Sequence, residues 1–197
     1  MAQELTLRGE HVCLRDWRLG DLAALEYWMQ PGREWKRWDA PYYPELTAAE
    51  ASEYVERKRR GIERGELPEA RMNAVVASAD TDEIIGMVNA YWESIETLWL
   101  TLGIVIYDPA WWSRGVGSAA FGLWTGYQFA ARPEIVRLDL RTWSGNYGMI
   151  RVAQKLGFQE EACFRNARIV DGAFYDSLAY GILREEWEQP DPRRLLG

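Results

Sequence analysis

Histidine is almost absent from this chain: His11 is the single example in 197 residues. A Ser-His-Asp or Cys-His hydrolase would have to be built on that one imidazole, and it lies in "HVCLRDW" with no nucleophile motif beside it. The same count excludes a histidine-rich metal site. Cysteine is nearly as scarce. Cys13 and Cys163 stand in no CxxC spacing, which argues against a disulfide scaffold and a thiolate zinc site and leaves reduced thiols as the default. Positive charge is in deficit, with a formal net charge of -7. That balance works against nonspecific contact with nucleic-acid phosphates and favours a cationic partner or substrate. Long apolar runs are missing too. The longest, around Leu98 to Tyr107, is too short to span a bilayer, and the N-terminus carries charges where a signal peptide would be apolar. The expectation is a cytoplasmic protein that binds neither membrane nor nucleic acid. There is no internal repeat, low-complexity tract or Ser/Gly linker, so residues 1–197 are expected to form a single domain.

What is present is a regular alternation of strand and helix patterns. "HVCLRDW" reads as a strand. Asp21 is placed to cap a helix over 22–29. "QPGREWKRWDAPYYPEL", residues 30–46, is a loop rich in proline and aromatics. Thr47 and Glu50 form a T-x-x-E capping box that starts a second helix, running to about Arg64. "ARMNAVVASA", "IIGMVNAYW" and "LWLTLGIVIY" then read as three strands joined by the turns "DTDE" and "ESIET". The last of them is apolar enough to be buried on both faces. After the loop "DPAWWSRG", a helix is expected over 116–131, ended by Arg132-Pro133. "VRLDLRT" alternates as a strand. A helix follows from about Asn146 to Leu156, stopped by Gly157. Two closing strands, "CFRNARIV" and "FYDSLAYGILREEW", meet at Asp171-Gly172, a tight-hairpin dipeptide. The sum is an α/β mixed sheet covered by helices.

In a chain with 11 Trp and 10 Tyr, one stretch turns small: "WWSRGVGSAAF", residues 111–121. A helix N-terminus exposes unpaired N–H groups and the positive end of the helix dipole, and phosphates bind there. Gly115 and Gly117 clear the approach to the backbone, Ser118 and the alanines keep the first turn slim, and Arg114 adds a charge. No G-K-[ST] follows, so this is not a Walker loop. Ala120 stands at the third glycine of a dinucleotide fingerprint, but no acidic residue ends a following strand at the usual distance. A plain tight strand-to-helix turn is the competing reading.

"PAWWSRGVGSAAF" resembles the acyl-CoA pyrophosphate loop, Q/R-x-x-G-x-G/A, of the GNAT N-acetyltransferases. Trp112 stands where Gln or Arg is usual, as is familiar in the RimJ/RimL-like branch. Asn146, Lys155-Leu156-Gly157-Phe158, Glu161, Arg165, Gly172, Asp176 and Glu186-Trp187 also fall in that branch's order and spacing, and "LRGEHVCLRDWRLGDLAALEYW" resembles its opening. The resemblance implies the GNAT fold, a mostly antiparallel twisted sheet with one splayed parallel pair. It implies acetyl-CoA as acyl donor and a primary amine, cationic in one expectation, as acceptor. The strand before the loop would carry a β-bulge, and the backbone of Val105, Ile106 and Tyr107 would pair with the pantetheine arm. Amides from Arg114 through Gly115, Val116 and Gly117 to Ser118 would hold the pyrophosphate, and Asn146 would lie beside the arm. Related proteins often dimerise, so a homodimer is one expected assembly.

The chain departs from that pattern at the catalytic positions. Ala153 stands where many members have Tyr, Met149 where RimL-like enzymes often have Ser, and the strand before the loop has no internal carboxylate, only Thr101. Tyr147 could reach the departing sulfur, or could serve packing. Glu93 and Glu96, flanking the turn into that strand, are the candidate bases, with positioning alone as the alternative. Trp28, Trp35 and Trp38 in and before the aromatic loop are candidates for an acceptor pocket suited to a cation. A catalytically silent acyl-CoA-binding module is the other functional class left open.

Overall fold

The computed structural model describes residues 4–65, 67–189 and 191. One eight-stranded sheet runs through them in the order β1-β2-β3-β4-β5-β6-β8-β7. Its strands are β1 (Thr6–Arg8), β2 (Val12–Arg15), β3 (Asn73–Ser78), β4 (Ile84–Ser94), β5 (Trp99–Ile106), β6 (Arg137–Trp143), β7 (Gln159–Val170) and β8 (Ala173–Leu183). The helices are α1 (Leu22–Met29), α2 (Ala48–Arg64), α3 (Val116–Ala131), α4 (Tyr147–Lys155) and α5 (Arg184–Glu188), with short 3-10 turns at Leu19–Asp21, Glu34–Arg37 and Pro109–Trp111. No helix among the described residues is long and apolar enough to cross a membrane.

The period of two in the strands sorts the core into two layers. On β3, Ala74 and Val76 join Phe121, Trp124 and Leu138 beneath α3, while Val75 and Ala77 join Leu22, Leu25 and Val55 beneath α1 and α2. A strand buried on both faces has no polar side to offer, which is why β3 is continuously apolar from Ala74 to Ala77. Trp124 is fully buried and its indole N–H donates to the Asn89 carbonyl at 2.8 Å, satisfying the one polar atom that its burial would strand.

Local signals place several boundaries. The Thr47–Glu50 box closes reciprocally: the Glu50 amide donates to Thr47 Oγ1 at 3.3 Å and the Thr47 amide to Glu50 Oε2 at 2.8 Å. Asn146 Oδ1 accepts the Met149 amide at 3.0 Å and so starts α4. Asp171 and Gly172 both have positive φ, 49° and 79°, as a two-residue primed turn requires.

Three expectations are corrected. Asp21 does not cap α1; its carboxylate turns to Arg15 Nη1 and Nη2 at 2.8 and 2.9 Å and to the Arg18 amide at 2.8 Å. A buried guanidinium outcompetes a helix end for the same oxygens. The last strand does not reach Trp187. It stops at Leu183, where the Leu183 amide donates to Glu186 Oε2 at 2.8 Å and α5 begins. "LTLR" near the N-terminus supplies a three-residue strand, β1, too short for its alternation to register.

Only one neighbouring pair is parallel. β5 and β6 pair over a short ladder, Leu100↔Leu138 and Thr101↔Asp139, and then part, although β5 continues to Ile106 and β6 to Trp143. The result is a V-shaped gap between two central strands, opening toward the N-termini of α3 and α4.

Candidate active site

The mouth of the gap is built from helix starts. Gly115, with φ 79°, ends the loop and is the N-cap of α3, and Ser113 before it also has positive φ, 59°. The first bond of the helix runs from the Ala119 amide to the Gly115 carbonyl at 2.9 Å. The amides of Val116, Gly117 and Ser118 therefore precede the helical ladder and point out of its end. Nothing in the fold requires glycine at 117. A Cβ there would meet only Val152 Cγ2, at 3.7 Å, an ordinary contact. The left-handed backbone belongs to Gly115, and at Gly117 the missing side chain leaves the first-turn amides uncovered. Exposed Arg114 flanks them.

The edge of β5 is the second part of the site. In an antiparallel ladder a residue's N–H and C=O face the same neighbour, and successive residues alternate. The Tyr107 amide donates to the Ile85 carbonyl of β4 at 2.8 Å, so Tyr107, and Val105 two residues earlier, turn their backbone toward β4. Leu102, Ile104 and Ile106 turn theirs into the gap. Of the expected strand residues Val105, Ile106 and Tyr107, only Ile106 faces it, and its carbonyl already accepts the Trp112 indole N–H at 2.9 Å. The groups past the ladder are the Leu102 carbonyl and the backbone of Ile104, since the Leu102 amide closes the Thr101↔Asp139 rung. The expected bulge is not in β5 either. The register shift lies in β4 between Trp92 and Ser94, where Glu93 is the extra residue.

The aromatic loop spans the gap on the α1/α2 side. The Trp38 carbonyl accepts both the Trp143 indole N–H at 3.1 Å, from β6, and Asn146 Nδ2 at 3.0 Å, from the start of α4. The Trp38 ring meets Trp112 edge-on at 6.5 Å. Trp35 leans on Tyr107 at 5.4 Å and donates its indole N–H to the Trp28 carbonyl at 2.9 Å. Asn146 is therefore a helix cap and a loop anchor before it is anything else, with one amide hydrogen still to give.

Beside this strap lies a cavity of about 620 Å³ lined by Trp35, Trp38, Tyr43, Trp143, Tyr147 and Tyr175. Asp39, Glu45 and Asp171 also line it, against Lys36 and Arg37. Desolvation raises the Asp39 carboxyl, partly offset by the Lys36 ammonium. Of the three expected pocket residues, Trp35 and Trp38 line this cavity. Trp28 does not; it stacks on Tyr107, centroids 6.1 Å apart, beneath the loop. Tyr147 lies in the cavity wall, 63% exposed, at the first residue of α4.

Tyr107 itself is fully buried and its hydroxyl has no protein hydrogen-bond partner. Burial, with the nearby Tyr54 and Asp39, raises that hydroxyl well above its ordinary value. An unsatisfied buried hydroxyl costs about 1–3 kcal/mol, so Tyr107→Phe should raise the melting temperature by a few degrees. Differential scanning calorimetry would read it, and a fall would show that the hydroxyl is bonded in solution.

Glu93 and Glu96 are at the closed end of the gap, not at its mouth. Glu93, at the end of β4, and Glu96, in the turn that follows, stand beside the start of β5, and by strand rise the far end of β5, toward α3, is roughly 23 Å away. Glu93 lies 3.5 Å from Arg141 and Glu96 Oε2 accepts the Ser94 hydroxyl at 3.1 Å. The carboxylate missing from within β5 comes instead from β6. Asp139, 1% exposed, sits on the last rung of the parallel pair, where its Oδ1 accepts the Thr101 hydroxyl and its Oδ2 accepts the Trp99 indole N–H at 2.7 Å. The signal is present in "VRLDLRT": alternation puts Arg137, Asp139 and Arg141 on one face of a central strand, where charge calls for a reason.

A central parallel pair thus splays beside a helix N-terminus whose first-turn amides are bare. Residues 11–159 match the model of the acetyltransferase (GNAT) domain, and the chain belongs to that family. Over 52 residues it is 36% identical to an uncharacterised N-acetyltransferase of the SPbeta prophage of Bacillus subtilis, a match spanning 26% of this chain and 29% of that relative. Among solved structures it is similar to spermidine N-acetyltransferase from Vibrio cholerae in complex with CoA and spermine, at 18% identity and TM-score 0.73, covering 92% of this chain and all of that one, 100%. It is similar also to ribosomal-protein-S5-alanine acetyltransferase from Vibrio fischeri, at 18% identity and TM-score 0.72, covering 94% and 100%. At these identities the likeness to the two structures is one of fold. The eight-stranded sheet with its single parallel pair is the GNAT arrangement.

Proposed function

We propose that the protein moves an acetyl group from acetyl-CoA to a primary amine by direct transfer. The observation that carries this reading is the gap between β5 and β6, which runs from the last parallel rung to the bared N-terminus of α3. The amides of Val116, Gly117 and Ser118, with Arg114, would hold the donor's pyrophosphate. The Leu102 carbonyl and the backbone groups of Ile104 would take up the amides of its pantetheine arm, with the free hydrogen of Asn146 Nδ2 opposite. The aromatic cavity would receive the acceptor. Its three carboxylates against two cationic side chains, its aromatic walls and the net charge of -7 favour an amine that arrives as a cation. The likeness to a spermidine acetyltransferase fits that preference, and the likeness to a ribosomal-protein acetyltransferase keeps a protein N-terminus as the other acceptor class.

A ligand that binds only the folded state adds about 2.7 kcal/mol at a hundred times its dissociation constant. At roughly 2–4 °C per kcal/mol, saturating acetyl-CoA should raise the melting temperature by roughly 5–10 °C. NAD and ATP, which lack the pantetheine arm, should raise it much less. Free CoA release should then follow with spermidine, 2-phenylethylamine or an alanine-initiated peptide. An absent shift, or a shift with no release from any amine, would overturn the reading.

A further inference from the structure

Hydrogen-bond donors are scarce at the inner end of the gap. An arm entering from α3 would carry its acyl group foremost, against the last stretch of β5 before the closed Thr101↔Asp139 rung. There the Leu102 amide is spent on the ladder, and the Leu102 carbonyl can only accept. Gly103 turns its backbone toward β4. Ile104 offers one free N–H, for which the amides of the arm would compete. The side chains around this point are committed as well. Thr101 gives its hydroxyl hydrogen to Asp139, and the Trp99 indole donates to the same carboxylate at 2.7 Å. Arg141 lies 3.9 Å from Asp139 and 3.5 Å from Glu93. Lys58 donates to Asn73 Oδ1 at 2.8 Å, on a strand two removed from β5.

Asn89 is the exception. It stands directly across the β4–β5 ladder from Gly103. Met87 and Val105, two residues away on each strand, pack in the layer beneath α1 and α2. By the period of two, positions 89 and 103 face that side too, which is the side of the aromatic loop. The Asn89 carboxamide lies across β5: a Cβ on Gly103 would run into Oδ1, and Nδ2 is 3.6 Å from the same point. Glycine at 103 is what gives the side chain this room. Oδ1 rests against Gly103, which leaves the two N–H groups of Nδ2 to give. The Asn89 backbone carbonyl is taken by the Trp124 indole. Its side chain is exposed and, among the described residues, has no hydrogen-bond partner. An arm paired with β5 would lie one strand spacing, about 4.8 Å, beyond Gly103, within reach of a donor standing over that glycine.

We infer that Asn89 Nδ2 donates a hydrogen bond to the thioester oxygen and stabilises the oxyanion that forms on acetyl transfer. The inference rests on the proposed function. The lone pair of the neutral amine forms the C–N bond to the thioester carbon, and the C=O pair moves onto the oxygen, where the Asn89 N–H meets it. That pair then re-forms the carbonyl as the C–S bond breaks. The bonding electrons leave on sulfur, and the CoA thiolate takes the proton still carried by the acylated nitrogen. Asn89 touches the reacting carbonyl and is a catalytic residue in this step, while Gly103 makes its place.

The test measures single-turnover acetylation of spermidine, 2-phenylethylamine and an alanine-initiated peptide by Asn89→Ala and Asn89→Asp across pH 7 to 10. Single-turnover rates read the transfer step apart from product release. Loss of one enclosed oxyanion donor costs about 10²–10³-fold, and Asn89 is open to water, so Asn89→Ala should lose about 10–100-fold. The acetyl-CoA thermal shift and the amine concentration giving half the maximal rate should be unchanged. Asn89→Asp keeps the shape but sets a negative charge where another develops, since a carboxylate titrates near 3.9 and stays ionised throughout this range. It should therefore be slower than Asn89→Ala. Both losses should stay constant with pH, because a carboxamide has no proton to exchange there. An Asn89→Asp rate at or above that of Asn89→Ala would assign the side chain to the ammonium instead. That result, a loss that fades near pH 10, a lost thermal shift or an undiminished Asn89→Ala rate would each overturn the inference and leave the acetyltransferase reading in place. No turnover of any amine by the wild type would remove both.

Discussion

Gly117→Val is expected to abolish acetyl-CoA binding without unfolding the protein. Gly117 lies in the first turn of α3 with ordinary helical backbone, and a Cβ there meets only Val152 Cγ2 at 3.7 Å. Valine is at least as good a helix former as glycine, so the melting temperature without ligand should change by no more than a few degrees. The two branches of valine would instead stand over the amides of Val116, Gly117 and Ser118. A phosphate needs those N–H groups at about 2.7–2.9 Å, and a branched side chain holds it beyond that reach. The acetyl-CoA shift should vanish, and kcat/KM for the donor should fall by at least about 100-fold, equivalent to a little under 3 kcal/mol. Gly117→Ala, with a single methyl, should fall between the two. A folded Gly117→Val protein with the full shift would remove the α3 terminus from the donor site.

Asp21→Ala is expected to produce the largest loss of stability outside the apolar core. Arg15 is 3% exposed at its side chain and is held by Asp21 through both terminal nitrogens, with Asp82 on Nε at 2.7 Å. Burial alone would lower the Arg15 guanidinium, but the hydrogen bonds and charges of Asp21 and Asp82 outweigh it and raise it. Removing one partner of a buried pair costs about 3–5 kcal/mol, which corresponds to a fall in melting temperature of roughly 6–20 °C. Because α1 leads into the aromatic loop, the same variant should weaken acceptor use more than donor binding. Acid attacks the cluster from the other side. Burial would raise the Asp82 carboxyl, but Arg15 and Arg18 prevail and lower it. Its folded value is below its unfolded one, so its contribution is complete above the ordinary carboxylate range and disappears as pH falls through the lower folded value. Melting temperatures measured down to pH 2 should decline most steeply there, and less steeply in Asp82→Asn.

Features whose cause is local can be read from the chain alone. The Thr47–Glu50 box, the Asn146 start of α4, the Asp171-Gly172 turn and the glycine-flanked start of α3 all depend on residues a few positions apart, and all are where their chemistry puts them. Asp21 reads wrongly as a cap because a helix cap is a local bond and its competitor, Arg15, acts from a neighbouring strand. Glu93 and Glu96 border β5 at its closed end, away from the start of α3. Nothing in a run of apolar residues tells which end of a parallel pair comes apart, since that is decided by how far β6 stays in register with β5. Asp139 escapes notice for a related reason. The expectation looks for a carboxylate within β5, whereas the sheet delivers one sideways from the next strand. Val105 and Tyr107 are separated from Ile106 by the direction in which each peptide faces, which depends on the pairing with β4 rather than on residue type.

The alternation along β5 has a mechanical corollary. An arm lying in the gap can grip only every second residue, so the rail it rests on has teeth about 6.6 Å apart. Slippage by one residue would bring it against peptides that face β4, and a slip by a full tooth would carry a thioester well past its target. Placement along this rail is therefore coarse and digital, and fine adjustment falls to its two end stops. One is the first turn of α3, which would fix the charged end. The other is the Thr101↔Asp139 rung, beyond which the strands are closed and nothing can advance. On the proposed reading, the distance between those stops would act as a ruler for the donor. An acyl group longer than acetyl could not be accommodated by sliding back a little; it would have to bend out toward the aromatic cavity and compete there with the amine.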